Sequence, residues 1–85
     1  MTVDVVRQLG QRIRELRTGR RSGPMTQEDL AERADISVSF LSMIERGERA
    51  PHLQTLAHIA GALEVELAEL FVAAREAGKR KRARG

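Results

Sequence analysis

The chain has no Cys, no Trp and no Tyr, and only two Phe and two Pro. Without Cys there is neither a disulfide framework nor a thiolate metal site to staple a small fold. Packing must therefore hold the 85 residues together, alone or shared with a second copy. No apolar run approaches the roughly 20 residues of a membrane helix. The first ten residues also lack the charged start and apolar stretch of a secretory signal, so a cytoplasmic protein away from the membrane is expected. A single core usually takes roughly 100 to 200 residues, which leaves room here for one domain only. No alternating strand pattern occurs, and both prolines, Pro24 and Pro51, stand at breaks between helical segments.

Charge is present in quantity and is unevenly placed. Residues 1–21 carry six Arg against Asp4 and Glu15, a net +4. Residues 22–74 carry three Arg against nine acids, a net −6, and residues 75–85 carry six Lys or Arg against Glu76, a net +5. A basic start, an acidic middle and a basic end suit a polyanionic partner, although charge alone says no more than that. Residues 1–74 are read as the domain. Residues 75–85 are read as a basic tail that cannot bury a core and is expected to be disordered by itself.

Val6, Leu9, Ile13 and Leu16 step by three and four, the stripe of an amphipathic helix from about Asp4 to Arg17. After an Arg- and Gly-rich loop, Thr26 and Asp29 form a shortened capping box, with Met25 and Leu30 as its hydrophobic staple. That helix runs to about Ala34. A third begins at the cap Ser37, with Ile36 and Leu41 as its staple, and stops where Gly47 supplies a left-handed residue. Beyond Pro51, Leu53, Leu56, Ala57, Ala60 and Leu63 mark a fourth helix. A fifth from about Glu66 would turn Leu67, Leu70, Phe71 and Ala74 inward. The expected fold is all-α, a compact bundle of five helices.

Two of those helices are short and nearly adjacent, and the second of the pair has an unusual surface. With Leu41 at zero and about 100° per residue, Ile44 and Glu45 fall near 300° and 40°, so the buried side lies near 340°. Ser39, Ser42, Met43 and Arg46 point the other way, and Val38 projects from the open first turn. In a chain with 32% charged residues, an ordinary solvated face would carry Glu and Lys. Small, uncharged side chains can instead enter a groove and touch base edges without burying a carboxylate. Periodicity alone allows equally that Met43 and Val38 pack on another helix of the chain.

The segment Met25 to Pro51 closely resembles the Cro/CI-type (XRE) helix-turn-helix family of phage repressors and bacterial regulators. Gln27, Leu30, Ala31, Ile36, Ser37, Leu41, Ser42, Ile44, Glu45, Arg46, Gly47 and Pro51 all match at the expected spacing. With Ile13 to Arg17 upstream and Leu70 and Phe71 downstream, the resemblance covers about residues 6–71. It implies a lambda-repressor-like DNA-binding domain in which the second helix supports the third in the major groove. It also implies roles. Val38, Ser39 and Met43 match base-reading positions, with Ser42 on the same outward face. Gln27 would hold a phosphate at the start of the supporting helix, Ser37 would cap and reach a phosphate, and Arg46 and Arg49 would touch the sugar-phosphate chain. Arg17 and Glu45 match a buried ion pair of structural value.

Three departures from the pattern stand out. Asp35 occupies the usual glycine between the paired helices, and it accepts left-handed geometry at some cost. The loop from Thr18 to Pro24 is longer than usual and brings Arg20 and Arg21 toward the second helix. His52 and Glu66 replace better caps at the starts of the last two helices.

No catalytic constellation, metal site or cofactor motif appears; His52 and His58 lack the helical i,i+4 spacing of a metal pair. The resemblance implies a sequence-specific regulator of transcription, a homodimeric repressor bound to an operator in double-stranded DNA. The alternative is an antitoxin or bridging coactivator that uses the same fold to hold a partner protein.

Overall fold

The computed structural model describes residues 4–72, which form four α-helices and a 3-10 helix. In chain order these are α1 (Val5–Thr18), α2 (Gln27–Ala34), α3 (Val38–Glu45), α4 (Leu53–Leu63) and the 3-10 helix Leu67–Phe71. No strand occurs among the described residues. Ala73, Ala74 and the basic segment 75–85 lie outside them.

Each start has a local cause. The Asp4 carboxylate accepts the Arg7 N–H at 3.0 Å and caps α1. At α2 the capping box is complete, because Thr26 Oγ1 accepts the Asp29 N–H at 3.0 Å and Asp29 Oδ2 accepts the Thr26 N–H at 3.2 Å. The Thr26 backbone N–H, and then its side chain, hold the Asp29 carboxyl below the usual carboxylate range. Ser37 Oγ accepts the Phe40 N–H at 3.0 Å and caps α3. His52 and Glu66 make no side-chain cap bond, as their residue types predict.

Three helices end by one device. After α2, α3 and α4 the chain turns through a left-handed residue, namely Asp35 (φ 62°), Gly47 (φ 79°) and Glu64 (φ 62°). In each case the next residue's N–H reaches back to a carbonyl five positions earlier: Ile36 to Ala31, Glu48 to Met43, and Val65 to Ala60, at 2.9 to 3.0 Å. This is the Schellman arrangement, which satisfies carbonyls the helix leaves open. Asp35 thus makes the turn that a glycine would have made.

One cluster forms the core: Leu9 and Ile13 of α1, Met25, Leu30, Ala31 and Ala34 around α2, Leu41 and Ile44 of α3, Leu56, Ile59, Ala60 and Leu63 of α4, and Leu70. α2 packs chiefly on α4 and α3, while α1 packs on α3 and the 3-10 helix.

The last third of the chain departs from the sequence expectation in three ways. First, the fifth element is a 3-10 helix and not an α-helix. With about three residues per turn, Leu67 and Leu70 align on one side and Phe71 is rotated away. Leu70 is therefore fully buried, Leu67 is half-buried, and Phe71 is 53% exposed. Second, the stripe of α4 is shifted. Ile59 is fully buried, Ala57 is exposed, and Leu53, in the first turn ahead of the core positions, is 67% exposed. Third, Val65, which belongs to neither helical stripe of the sequence, packs partly against the core.

A buried arginine closes this end of the bundle. Arg12 Nε donates to the Glu69 carbonyl at 2.9 Å, Nη2 to Glu69 Oε1 at 3.0 Å, and Nη1 to Glu15 Oε1 at 3.1 Å. The 3-10 helix is thereby tied to the middle of α1 by directional bonds as well as by Leu70.

Candidate nucleic-acid interface

α3 is anchored on one side and open on the other. Leu41, Ile44 and Glu45 are buried, as the expected direction requires, whereas Val38, Ser39 and Arg46 are exposed and Ser42 and Met43 are half-buried. The open face bears no carboxylate, since the helix's one acid, Glu45, points inward.

Glu45 is held by three hydrogen bonds from two other elements. Arg17 Nε donates to Oε2 at 2.7 Å and Nη2 to Oε1 at 2.8 Å, a bidentate fork with the pair almost wholly out of solvent. The remaining arm, Arg17 Nη1, donates to the Met25 carbonyl at 2.9 Å. Gln27 Nε2 donates to Glu45 Oε1 at 2.9 Å. One guanidinium thus fixes the end of α1, the entry to α2 and the inner face of α3 together. Gln27, half-buried at the first position of α2, has its amide set by that same carboxylate and faces α3.

Close backbone approach seats α3 on α1. A Cβ built on Gly10 would overlap the Ile44 carbonyl oxygen and lie 2.8 Å from that of Glu45, so only glycine fits at this crossing. At Gly47 a Cβ would lie 3.0 Å from the Arg7 Cα, which places Arg7 beside the turn that follows α3.

Both arginines expected at the phosphate chain have partners within the molecule. Arg46 Nε and Nη2 donate to the two oxygens of Glu48 at 3.0 Å each, and Nη1 donates to Ser42 Oγ. The Arg46 hydrogen bonds hold the Glu48 carboxyl below its ordinary range and raise the guanidinium in turn. The Arg49 guanidinium lies over the Phe40 ring, 5.5 Å from its centroid, on the flank of α3. Ser37 is occupied as the α3 cap.

Val38, Ser39, Ser42 and Met43 thus share α3, with Arg46 at its C-terminal cap, Arg49 beside it and Gln27 at the adjoining end of α2. Arg20 and Arg21 are elsewhere: they line an open cleft with Leu63, Glu64 and Val65, where Arg20 Nη2 donates to Ser22 Oγ at 2.9 Å. Glu48, Arg7 and Gly10 also border α3 and the turn after it, beyond the residues that the resemblance implies. Glu48 could have been found from its place two residues after Arg46, whereas the Gly10 and Arg7 contacts depend on how α1 crosses α3.

Among the described residues no group of three or more His, Asp or Glu side chains is placed to hold a metal ion. No helix among them is long and apolar enough to cross a membrane.

Known proteins resemble this chain in sequence and fold. A family model described as Helix-turn-helix matches residues 13–70. The immunity repressor protein of Bacillus phage phi105 is 42% identical over 62 residues, which cover 73% of this chain and 41% of the repressor. An uncharacterized HTH-type transcriptional regulator of Mycobacterium tuberculosis is 39% identical over 59 residues, 69% of this chain and 42% of its own length. The chain therefore spans about two fifths of these relatives. Among solved structures, the restriction-modification controller protein C.AhdI from Aeromonas hydrophila superposes with a TM-score of 0.72 at 38% identity, covering 78% of this chain and 96% of the controller. A mutant of the controller C.Esp1396I bound to its highest-affinity operator site gives 0.71 at 30% identity, over 82% and 88% of the two chains. With its paired helices, its core and most of its length accounted for in this way, the chain belongs to the helix-turn-helix family of the Cro/CI (XRE) type.

Proposed function

We propose that the protein is a sequence-specific regulator of transcription that binds double-stranded DNA with α3 in the major groove, acting as a dimeric repressor at an operator in a bacterial or phage genome. The observation that carries this reading is the outward face of α3. It is small, uncharged and flanked by arginines, on a helix whose only acid is buried. Such a face can be pressed against base edges without stranding a carboxylate. In this reading Val38, Ser39 and Met43 meet bases, Ser42 and Ser37 stand at the groove edge, and Gln27, Arg46 and Arg49 meet phosphates. The names of the phage repressor and of the operator-bound controller support it.

Selection of bound fragments from a random duplex pool, followed by salt titration, tests the reading. With about six phosphate contacts per dimer, the slope of log affinity against log salt should be on the order of −5. Ser39→Ala and Met43→Ala should each change base preference at particular operator positions by about 1 to 3 kcal/mol. Gln27→Ala should weaken all sequences alike, because a phosphate carries no sequence information. If no duplex is enriched, or affinity hardly responds to salt, the reading fails. The antitoxin or coactivator alternative would then take its place.

A further inference from the structure

We propose that Glu48 regulates DNA affinity and selectivity by occupying the phosphate-binding edge of Arg46, so that a bound phosphate must displace a carboxylate already in place. The inference rests on the DNA-reading assignment above and adds to it a residue that works against binding.

Arg46 carries five N–H donors, and the edge formed by Nε and one Nη suits a two-oxygen anion. Glu48 takes that edge with both oxygens at 3.0 Å, while Nη1 is tied to Ser42 Oγ one turn back on α3. Three donors are engaged before any DNA arrives.

The carboxylate is not there by the chance sweep of a long side chain. Gly47, at φ 79°, reverses the backbone, and the Glu48 N–H is bonded to the Met43 carbonyl at 2.9 Å. These two features bring Glu48 back alongside Arg46 at the C-terminal end of the reading helix. A helix C-terminus carries partial negative charge, so a carboxylate is poorly placed there except for its contact with a cation. Both side chains are about half exposed, 56% for Arg46 and 53% for Glu48, so the pair is weak and exchangeable. A phosphate arriving with the rest of α3 correctly seated can take the fork. An isolated phosphate encounter must compete with Glu48 and be repelled by it.

The consequence is selective. Non-specific binding consists almost wholly of phosphate contacts, so removing one cationic fork subtracts a large share of it. Operator binding also draws on base contacts and loses proportionately less. Glu48 therefore widens the ratio of specific to non-specific affinity.

The experiment compares the full chain with Glu48→Gln, Arg46→Gln and the double variant. Fluorescence anisotropy would follow binding to a selected operator and to an unrelated duplex across salt concentrations. Glu48→Gln should tighten the unrelated duplex roughly threefold to tenfold at low salt, and the operator by less. Its salt slope should steepen by about one charge. In the Arg46→Gln background the gain should vanish. An unchanged affinity for the unrelated duplex would overturn the proposal. So would a gain that persists without Arg46, since that would make Glu48 merely one negative charge among others. Failure of the parent chain to bind any selected duplex is a separate result and would overturn the DNA reading itself.

Discussion

Gln27 and Arg17 donate to the same carboxylate oxygen of Glu45, at 2.9 and 2.8 Å. A buried charge is tolerated only when paired and hydrogen-bonded, and here the pairing joins three helices. Glu45 is therefore both the charge that locks α3 to α1 and the acceptor that orients Gln27 at the proposed phosphate contact. Arg17→Ala or Glu45→Ala should destabilise the fold by about 3 to 5 kcal/mol, because each leaves the other charge buried without a partner. Chemical denaturation measures this. A loss below about 1 kcal/mol would match an exposed pair and contradict the burial found here.

Gly10→Ala should destabilise despite alanine's better helix propensity. Propensity favours Ala by about 1 kcal/mol, but the added methyl meets backbone oxygens that cannot rotate aside, and overpacking costs about 1 to 3 kcal/mol or more. Gly61, within α4, has nothing within 4 Å of an added Cβ. Gly61→Ala should accordingly stabilise by up to about 1 kcal/mol. Opposite shifts in melting temperature are the expected result, and a stabilised Gly10→Ala would show that α1 and α3 sit further apart.

The left-handed ends of α2 and α4 offer a second stability test. Glu64 at φ 62° carries a side chain where only glycine is unstrained, so Glu64→Gly should stabilise by about 1 kcal/mol. Asp35→Gly should gain less, because Asp accepts this conformation more readily. Thermal melts of the two variants decide between this ranking and its reverse.

How far the fold was legible in the sequence depended on whether the signal was local. The caps at Thr26 and Ser37, the stop at Gly47 and the inward direction of Leu41, Ile44 and Glu45 were readable, because each depends on residues within one turn. The Arg17–Glu45 pair was reachable only through family resemblance, since nothing in the spacing joins positions so far apart. The burial of Ile59 and the exposure of Leu53 were not legible, because a helical stripe fixes an angle and not the point where the neighbouring helix begins. An α-helical period turns Phe71 inward, whereas the 3-10 period of this segment turns it out. The burial of Arg12 against Glu69 has no local sequence signal, since it follows only from where the 3-10 helix returns. For the candidate site, the types and order of residues on α3 were visible beforehand. The spacing of Arg46 and Glu48 leaves room for their pairing, but that Glu48 takes both Nε and Nη2, and that Arg49 lies over Phe40, depends on the turn at Gly47 and is seen only in the fold.

The final prediction is a twofold dimer formed through α4 and the segment that follows it, on a near-palindromic operator with half-sites about one helical turn, roughly 34 Å, apart. Its motive is a set of particular exposed apolar residues. Phe71 and Val72 are 53% and 48% exposed, beside Val5 at 53%, and together with Gln8, Leu9 and Leu70 they rim a shallow hollow at the end of α1. Leu53 adds 67% exposure at the start of α4. Single exposed apolar groups are ordinary, but an adjacent aromatic and valine at the end of a core element are a surface that a second copy can cover. In the proposed function one α3 would cover only a few base pairs, so a second copy would also supply the specificity that one copy lacks. Arg12 matters here because its bonds to Glu69 fix the 3-10 helix and hence the direction in which Phe71 projects. Sedimentation at micromolar concentration should give a dimer that Val72→Asp converts to monomer. The same variant should weaken operator binding and leave the fold intact, since Val72 contributes little to the core. A chain that stays monomeric at all concentrations, free and on DNA, would refute the dimer, and an unaffected Val72→Asp dimer would move the interface to another face.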